Sequence, residues 1–326
     1  MVLTKVSRQK GTMNSMEKRS KGKIVIVGAG FVGASTAFAI ATSGIASELV
    51  LVDVNKDKAD GEAMDLNHGL AFLSPCQITS ADYSAVKDAD IIVIAAGAGR
   101  KPGETRLDLA KKNAGIVRSV IPNVMEHYNG GVFVVISNPV DTLTYIVREM
   151  TGLPASKVIG SGTVLDSARF RYLLSQDYKV DIRNIHGYVL GEHGDSEVYV
   201  WSSVNIAGDT VEELDVEINK EAIEEGVRKA GAEIIKRKGA TYYGVALSVC
   251  RICEAILKNQ HSILTVGSVV DGQYGIKDTV ISLPSVVGIN GIERIIEIKL
   301  TAEEEEQLRV SAATIRECID SVMADA

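Results

Sequence analysis

KIVIVGAGFVG, residues 23–33, is the stretch whose reading decides the fold. Residues 23–27 (KIVIV) read as a continuous apolar run, as expected of a parallel strand buried on both faces. Small residues follow at 34–43 (ASTAFAIATS), a helical stretch closed by Gly44. Between the two stands Gly28-Ala-Gly30-Phe31-Val32-Gly33. A lone Gly-x-Gly-x-x-Gly carries little weight, but here it has the strand before it and the helix after it that a dinucleotide loop requires. Gly28 permits the tight turn, Gly30 lets phosphates approach the backbone, and Gly33 lets the helix pack close to the strand. Phe31 and Val32 complete the loop as cofactor-binding candidates, with the pyrophosphate at the positive helix N-terminus. Asp53 lies 20 residues past Gly33, at the end of the next apolar run (48–52). A carboxylate there can accept ribose hydroxyls and would repel a 2′-phosphate, which favours NAD over NADP.

Working outward, a charged helical segment spans 56–67, and strand-like runs recur at 91–95 (IIVIA), 132–136 (VFVVI) and 157–159, separated by helix-length segments. That alternation predicts an α/β chain with a Rossmann, doubly wound parallel sheet over 23–162. Beyond about residue 162 the pattern changes. Helical stretches at 163–176, 212–238 and 241–258 mix with strand-like runs at 187–190, 262–270 and 292–299, and a charged helix closes the chain at 301–322. An α+β substrate domain over 163–326 is expected.

Bulk properties narrow the function classes. The 326 residues hold enough chain for two modest domains, with 46% hydrophobic and 24% charged residues. A net charge of −7 argues against a nucleic-acid partner, and no apolar run is long enough to span a bilayer. The first 23 residues hold seven Lys or Arg against one acid, Glu17, and lack the apolar core of a secretory signal. Residues 1–22 read as a solvated basic tail, with a docking arm as the alternative. Cys250 and Cys253 form a C-x-x-C, but no second pair completes a metal set. Their apolar helical surroundings read as buried thiols of a reduced, cytoplasmic protein, and no metal is expected.

The chemistry concentrates at Gly-Glu-His193-Gly-Asp-Ser, residues 191–196. Flanking glycines leave the backbone free to present a histidine in a shaped turn, and a histidine can pass a proton near neutral pH. Asp166 and Arg169 lie three apart in a helical segment and so share a face. Arg171 lies about 200° around that helix from Arg169 and must serve a different place. A proton donor, a carboxylate partner, a carboxylate-binding arginine and a dinucleotide site together describe a dehydrogenase acting on a small hydroxy acid.

The motifs VGAGFVG, GETRLDLAKKN, SNPVD, GSGTVLDSARFR, GEHGDS and KGATYYG resemble, in order, those of the L-lactate/malate dehydrogenase family across 23–322. Within it the chain is most similar to bacterial L-lactate dehydrogenases. The resemblance implies that His193 protonates the keto oxygen while Asp166 orients it and stabilises its cation. It implies that Arg169 binds the substrate carboxylate, that Arg106 polarises the carbonyl, and that Asn138 lies near both carbonyl and nicotinamide. The physics agrees, because hydride arriving at a ketone carbon builds negative charge on oxygen. Gly97 to Gly103 reads as a glycine-hinged loop, and the resemblance implies that it closes over a small 2-keto or 2-hydroxy acid.

Two features leave alternatives open. Arg100 occupies the loop position where malate-specific members of the family carry arginine, whereas Thr241, Glu104 and Leu107 are lactate-like. Lactate is favoured, with malate as the rival and a non-catalytic NAD-binding regulator as the reading of another class. Arg171 and His186 match the pair with which allosteric members bind fructose 1,6-bisphosphate between subunits of a homotetramer or homodimer; each alone is more often structural.

Overall fold

The structure, a computed structural model, describes residues 22–99, 103–214 and 216–324. Expectations for the basic tail and for Arg100 therefore fall outside the described residues, save Gly22.

The first half alternates strand and helix. β1 (Lys23–Val27), α1 (Phe31–Ser43), β2 (Glu48–Val52), α2 (Lys56–Gly69) and β3 (Gln77–Ser80) form the first unit. β4 (Ile91–Ile94), α3 (Arg106–His127), β5 (Val132–Val135), α4 (Val140–Thr151) and β6 (Val158–Gly160) form the second. These six strands are parallel, in the spatial order β3-β2-β1-β4-β5-β6. Alternate residues of β1 face opposite layers. Ile24 and Ile26 pack with Ile40 of α1 and Ala59 of α2, while Val25 and Val27 pack with Val117 of α3 and Leu143 of α4. The order reverses between β1 and β4, and the crevice past their carboxyl ends is where such sheets take ligands.

The second half begins with α5 (Val164–Tyr178) and short strands β7 (Ile185–His186), β8 (Val189–Leu190), β9 (Val198–Tyr199), β10 (Asn205–Ile206) and β11 (Asp209–Thr210). α6 (Lys220–Lys238), α7 (Tyr243–Leu257), β12 (Ser262–Asp271), β13 (Lys277–Gly288), β14 (Gly291–Ile295) and α8 (Ala302–Met323) complete it. β12, β13 and β14 add antiparallel strands to the parallel sheet, joining β6 where Gly267 faces Gly160. The result is a nine-stranded sheet running through both halves.

Three expectations need correction. α1 starts at Phe31 rather than 34, so Gly33 is already helical. The stretch 212–238 is helical only from Lys220, because the Asn219 side chain accepts the Ala222 N–H and caps the helix there. β13 has no counterpart among the expected strands, since Pro284 interrupts its apolar pattern. Pro284 sits opposite Thr265 just where pairing with β14 ends, so the missing donor falls at the edge of that ladder. Cys250 and Cys253 lie buried and unbridged on α7, against the layer that holds α1.

A Cβ on Gly33 would lie 1.9 Å from the Gly28 carbonyl oxygen. Gly33→Ala must push α1 off the strand, and we expect a loss of about 1–3 kcal/mol of stability. Thermal unfolding with and without NAD measures this. An unchanged midpoint and unchanged stabilisation by NAD would show that the loop absorbs the methyl.

Candidate active site

The glycine loop begins as β1 ends. Gly28 has φ +110°, and a Cβ there would lie 2.7 Å from the Ala95 carbonyl carbon, so glycine alone suits the crossing. Gly30, by contrast, has open space around its missing side chain, and no side chain caps α1. The first N–H groups of α1 are thus left to an anion. One Asp53 oxygen accepts the Ala29 N–H at 2.7 Å and the other accepts the Asn55 N–H at 2.9 Å, which ties the end of β2 to the loop. Phe31, 73% exposed, stacks on Tyr242 with ring centroids 5.7 Å apart. This open, uncapped start of α1 fits the phosphates of a dinucleotide.

A cavity of about 340 Å³ opens beside the loop and is lined by Val32, Arg106, Asn138, Arg169, His193 and Thr241, among others. It sits within the size range of small-molecule sites. Behind its wall one carboxylate serves two partners. Asp166, 2% exposed in the first turn of α5, meets His193 Nδ1 at 2.5 Å with Oδ2 and accepts from Arg169 Nη1 at 2.9 Å with Oδ1. The Asp166 carboxylate raises the His193 imidazole to about 9, against the opposing effect of burial. Burial pushes the Asp166 carboxyl up, but His193 and Arg169 more than offset it and hold it below the ordinary carboxylate range.

Arg106 is the first residue of α3, whose start is fixed by a capping box between Thr105 and Asp108. Its guanidinium reaches across to the 191–196 turn. It pairs with Glu192 at 2.9 Å, donates to the His193 carbonyl at 3.1 Å and approaches Asp195 at 3.6 Å. This approach requires Gly194, since a Cβ there would lie 1.9 Å from Arg106 Nη2. Asn138 precedes a cis Pro139 and is exposed to the cavity.

Three residues of the site are not evident from the sequence. Asn113, buried on α3, bonds both the N–H and the carbonyl of Ala98 and donates to the Asn138 carbonyl at 2.6 Å. Asp141, buried on α4, accepts the His193 main-chain N–H at 2.9 Å. Glu192 bridges Arg106 and Ser196. All three lie within the quoted motifs, but their roles depend on contacts between distant segments. Arg171 and His186 are not among the cavity residues. Arg171 donates to the Ser167 carbonyl at 3.3 Å, and its helix packs against β7, where His186 is exposed.

Known proteins match this chain along nearly its whole length. The family described as lactate/malate dehydrogenase, NAD binding domain, matches residues 22–160, and its alpha/beta C-terminal domain matches 163–326. The chain belongs to the lactate/malate dehydrogenase family. Its cofactor is NAD. L-lactate dehydrogenase 1 of Clostridium acetobutylicum is 53% identical over 92% of this chain and 98% of its own length. L-lactate dehydrogenase of Acetivibrio thermocellus is 50% identical over 92% of this chain and 97% of its own. The ligand-bound crystal structure of minor L-lactate dehydrogenase from Enterococcus mundtii superposes with a TM-score of 0.90. It is 43% identical and covers 93% of this chain and 99% of its own.

As a member of this family, the chain should show an imidazole held charged by Asp166. An NMR titration of the His193 ring should give a midpoint near 9. In Asp166→Asn the midpoint should fall, because the largest raising influence is gone. An ordinary histidine midpoint in the unaltered protein would contradict the pairing.

Proposed function

We propose that this chain is an NAD-dependent L-lactate dehydrogenase that interconverts pyruvate and L-lactate. The observation that carries the reading is the single buried carboxylate of Asp166, which aligns His193 and Arg169 on the wall of one small cavity. Bound NADH supplies the hydride. Arg169 presents a guanidinium that can grip the substrate carboxylate with two parallel bonds. Because Nδ1 of His193 is engaged by Asp166, Nε2 is the nitrogen that gives its proton to the keto oxygen. Asp166 stabilises the imidazolium before that transfer and keeps the ring oriented after it. Arg106 polarises the carbonyl once it exchanges its Glu192 contact for the substrate. Asn138 borders the carbonyl and the nicotinamide end, and Gly28, Gly30, Phe31, Val32, Gly33 and Asp53 hold the cofactor. Thr241 narrows the cavity at the substrate's far end, which favours the methyl of pyruvate over a second carboxylate. The L-lactate dehydrogenases named above support this choice, while Arg100 supports oxaloacetate as a side substrate.

Arg171 and His186 form the proposed fructose 1,6-bisphosphate site between subunits of a homotetramer or homodimer. Packing of α5 against β7 favours their proximity. Four unbridged cysteines favour a cytoplasmic enzyme. Among the described residues no helix is long and apolar enough to cross a membrane.

NADH oxidation followed with pyruvate and oxaloacetate side by side tests the assignment. Pyruvate should give the higher kcat/KM, and a tenfold or larger preference for oxaloacetate would make the chain a malate dehydrogenase. His193→Ala should keep NADH binding yet lose roughly 10²–10⁴-fold in turnover. Retained turnover would end the acid–base assignment. Reduction of pyruvate should fall as pH rises through about 9, where His193 loses the proton it must give.

Millimolar fructose 1,6-bisphosphate should lower the apparent KM for pyruvate or stabilise the oligomer between pH 5.5 and 7.5. Identical kinetics with and without it across that range would remove the effector site.

A further inference from the structure

Behind the His193 turn lies a carboxyl with an unusual set of neighbours. Asp141 stands in the first turn of α4 and is 4% exposed. Its Oδ2 accepts the main-chain N–H of His193, whereas its Oδ1 is buried without a hydrogen-bond partner. Ser282 of β13 is fully buried, and its Oγ is likewise unpartnered. The two atoms converge on one point. A Cβ placed on Gly267 of β12 would lie 3.4 Å from Asp141 Oδ1 and 3.6 Å from Ser282 Oγ. On its other side Ser282 Oγ lies 2.5 Å from where a Cβ on Gly162 would stand, and Gly162 lines the active-site cavity. Two buried, unpartnered oxygens beside one glycine meet the polar requirement of a structural water, which needs at least two such partners.

We propose that Asp141 is a positioning residue for His193: it holds the histidine's main-chain N–H with one oxygen and, with Ser282, a buried water over Gly267 with the other. The inference rests on the reading of His193 as the proton donor. The water partners the free oxygen, so the carboxyl cannot rotate away, and the backbone that delivers the imidazole to Asp166 stays in place. The same strand fixes the turn a second way, because Gly191 and Ser282 exchange two main-chain bonds at 3.0 Å. Burial raises the Asp141 carboxyl to about 7. Near neutral pH it can therefore carry a proton and donate to the water while still accepting from His193. The charged groups around His193 are Asp166 and Arg169 from α5, Glu192 from its own turn and Arg106 from α3, with Glu197 next along the chain.

The test compares Asp141→Ala and Asp141→Asn in the intact enzyme, with His193→Ala as reference. Asp141→Ala should lower kcat for pyruvate by about 10²-fold, the cost of a small misplacement of a reacting group. It should also move the alkaline limb of kcat/KM, and the NMR midpoint of His193, to lower pH as the Asp166 contact loosens. Asparagine keeps an acceptor for His193 and offers a donor to the water, so Asp141→Asn should recover most of both effects. If Asp141→Ala leaves the limb and midpoint in place, the positioning role is overturned. If Asp141→Asn behaves like Asp141→Ala, the carboxyl acts by charge, which also overturns it. A high-resolution crystal structure of the unaltered enzyme decides the water even if Asp141→Ala does not fold. Density bonded to both Asp141 Oδ1 and Ser282 Oγ is expected, and a dry space there overturns that half. Should His193→Ala keep its turnover, the acid–base reading fails, yet the midpoint shift and the water still report on Asp141 separately.

Discussion

A buried carboxylate with two cationic partners sets the terms for the rest of this site. Asp166 is removed from water, and an isolated charge in that position would be costly. It stays ionised because His193 meets one oxygen and Arg169 the other. Each partner is aligned in turn, Arg169 by sharing a helix face with Asp166 and His193 by a turn whose glycines permit its shape. When His193 loses its Nε2 proton, the Nδ1 contact and Arg169 keep the carboxylate partnered. The geometry that suits catalysis is thus also the geometry the buried charge needs.

The scaffold supplies that turn from far away in sequence. The parallel strands bring the glycine loop and Asp53 to one crevice. The antiparallel strands then bring Gly267 and Ser282 beneath the opposite wall. α3 contributes Arg106 from its first residue and Asn113 from two turns further in, so a single helix anchors both the rim of the cavity and Ala98 at the start of the glycine-hinged loop.

Where backbone constraints dictate residue type, the sequence is readable. Gly28 and Gly33 are forced by close approaches, so their spacing between a buried strand and a helix marks the nucleotide loop. The alternation of apolar runs carries the parallel sheet for the same reason, since each strand is buried on both faces. Legibility fails where an element's pattern is interrupted or borrowed. β13 contains Pro284 and begins with Lys277 and Asp278, so its apolar run reads as too short. The stretch 212–219 carries helix-forming acids, yet Asn219 provides the cap that delays the helix. At the site, the motifs expose the conspicuous side chains. Asp141, Glu192 and Asn113 stand in those same motifs without drawing notice, because a carboxylate or amide on a helix or in a polar turn looks like surface chemistry until tertiary packing buries it.

β6 pairs with β5 on one side and, through Gly160 facing Gly267, with β12 on the other. The family's two sequence regions divide at 160–163, directly after β6, but the hydrogen-bonded sheet does not divide there. A chain cut at that boundary would leave β6 as a bare strand edge, open to pairing with any other exposed strand. It would also strip β12 and β13 of the slab they extend. Inheritance and hydrogen bonding therefore draw different borders in this molecule: the two regions can be recognised separately, but they share one sheet.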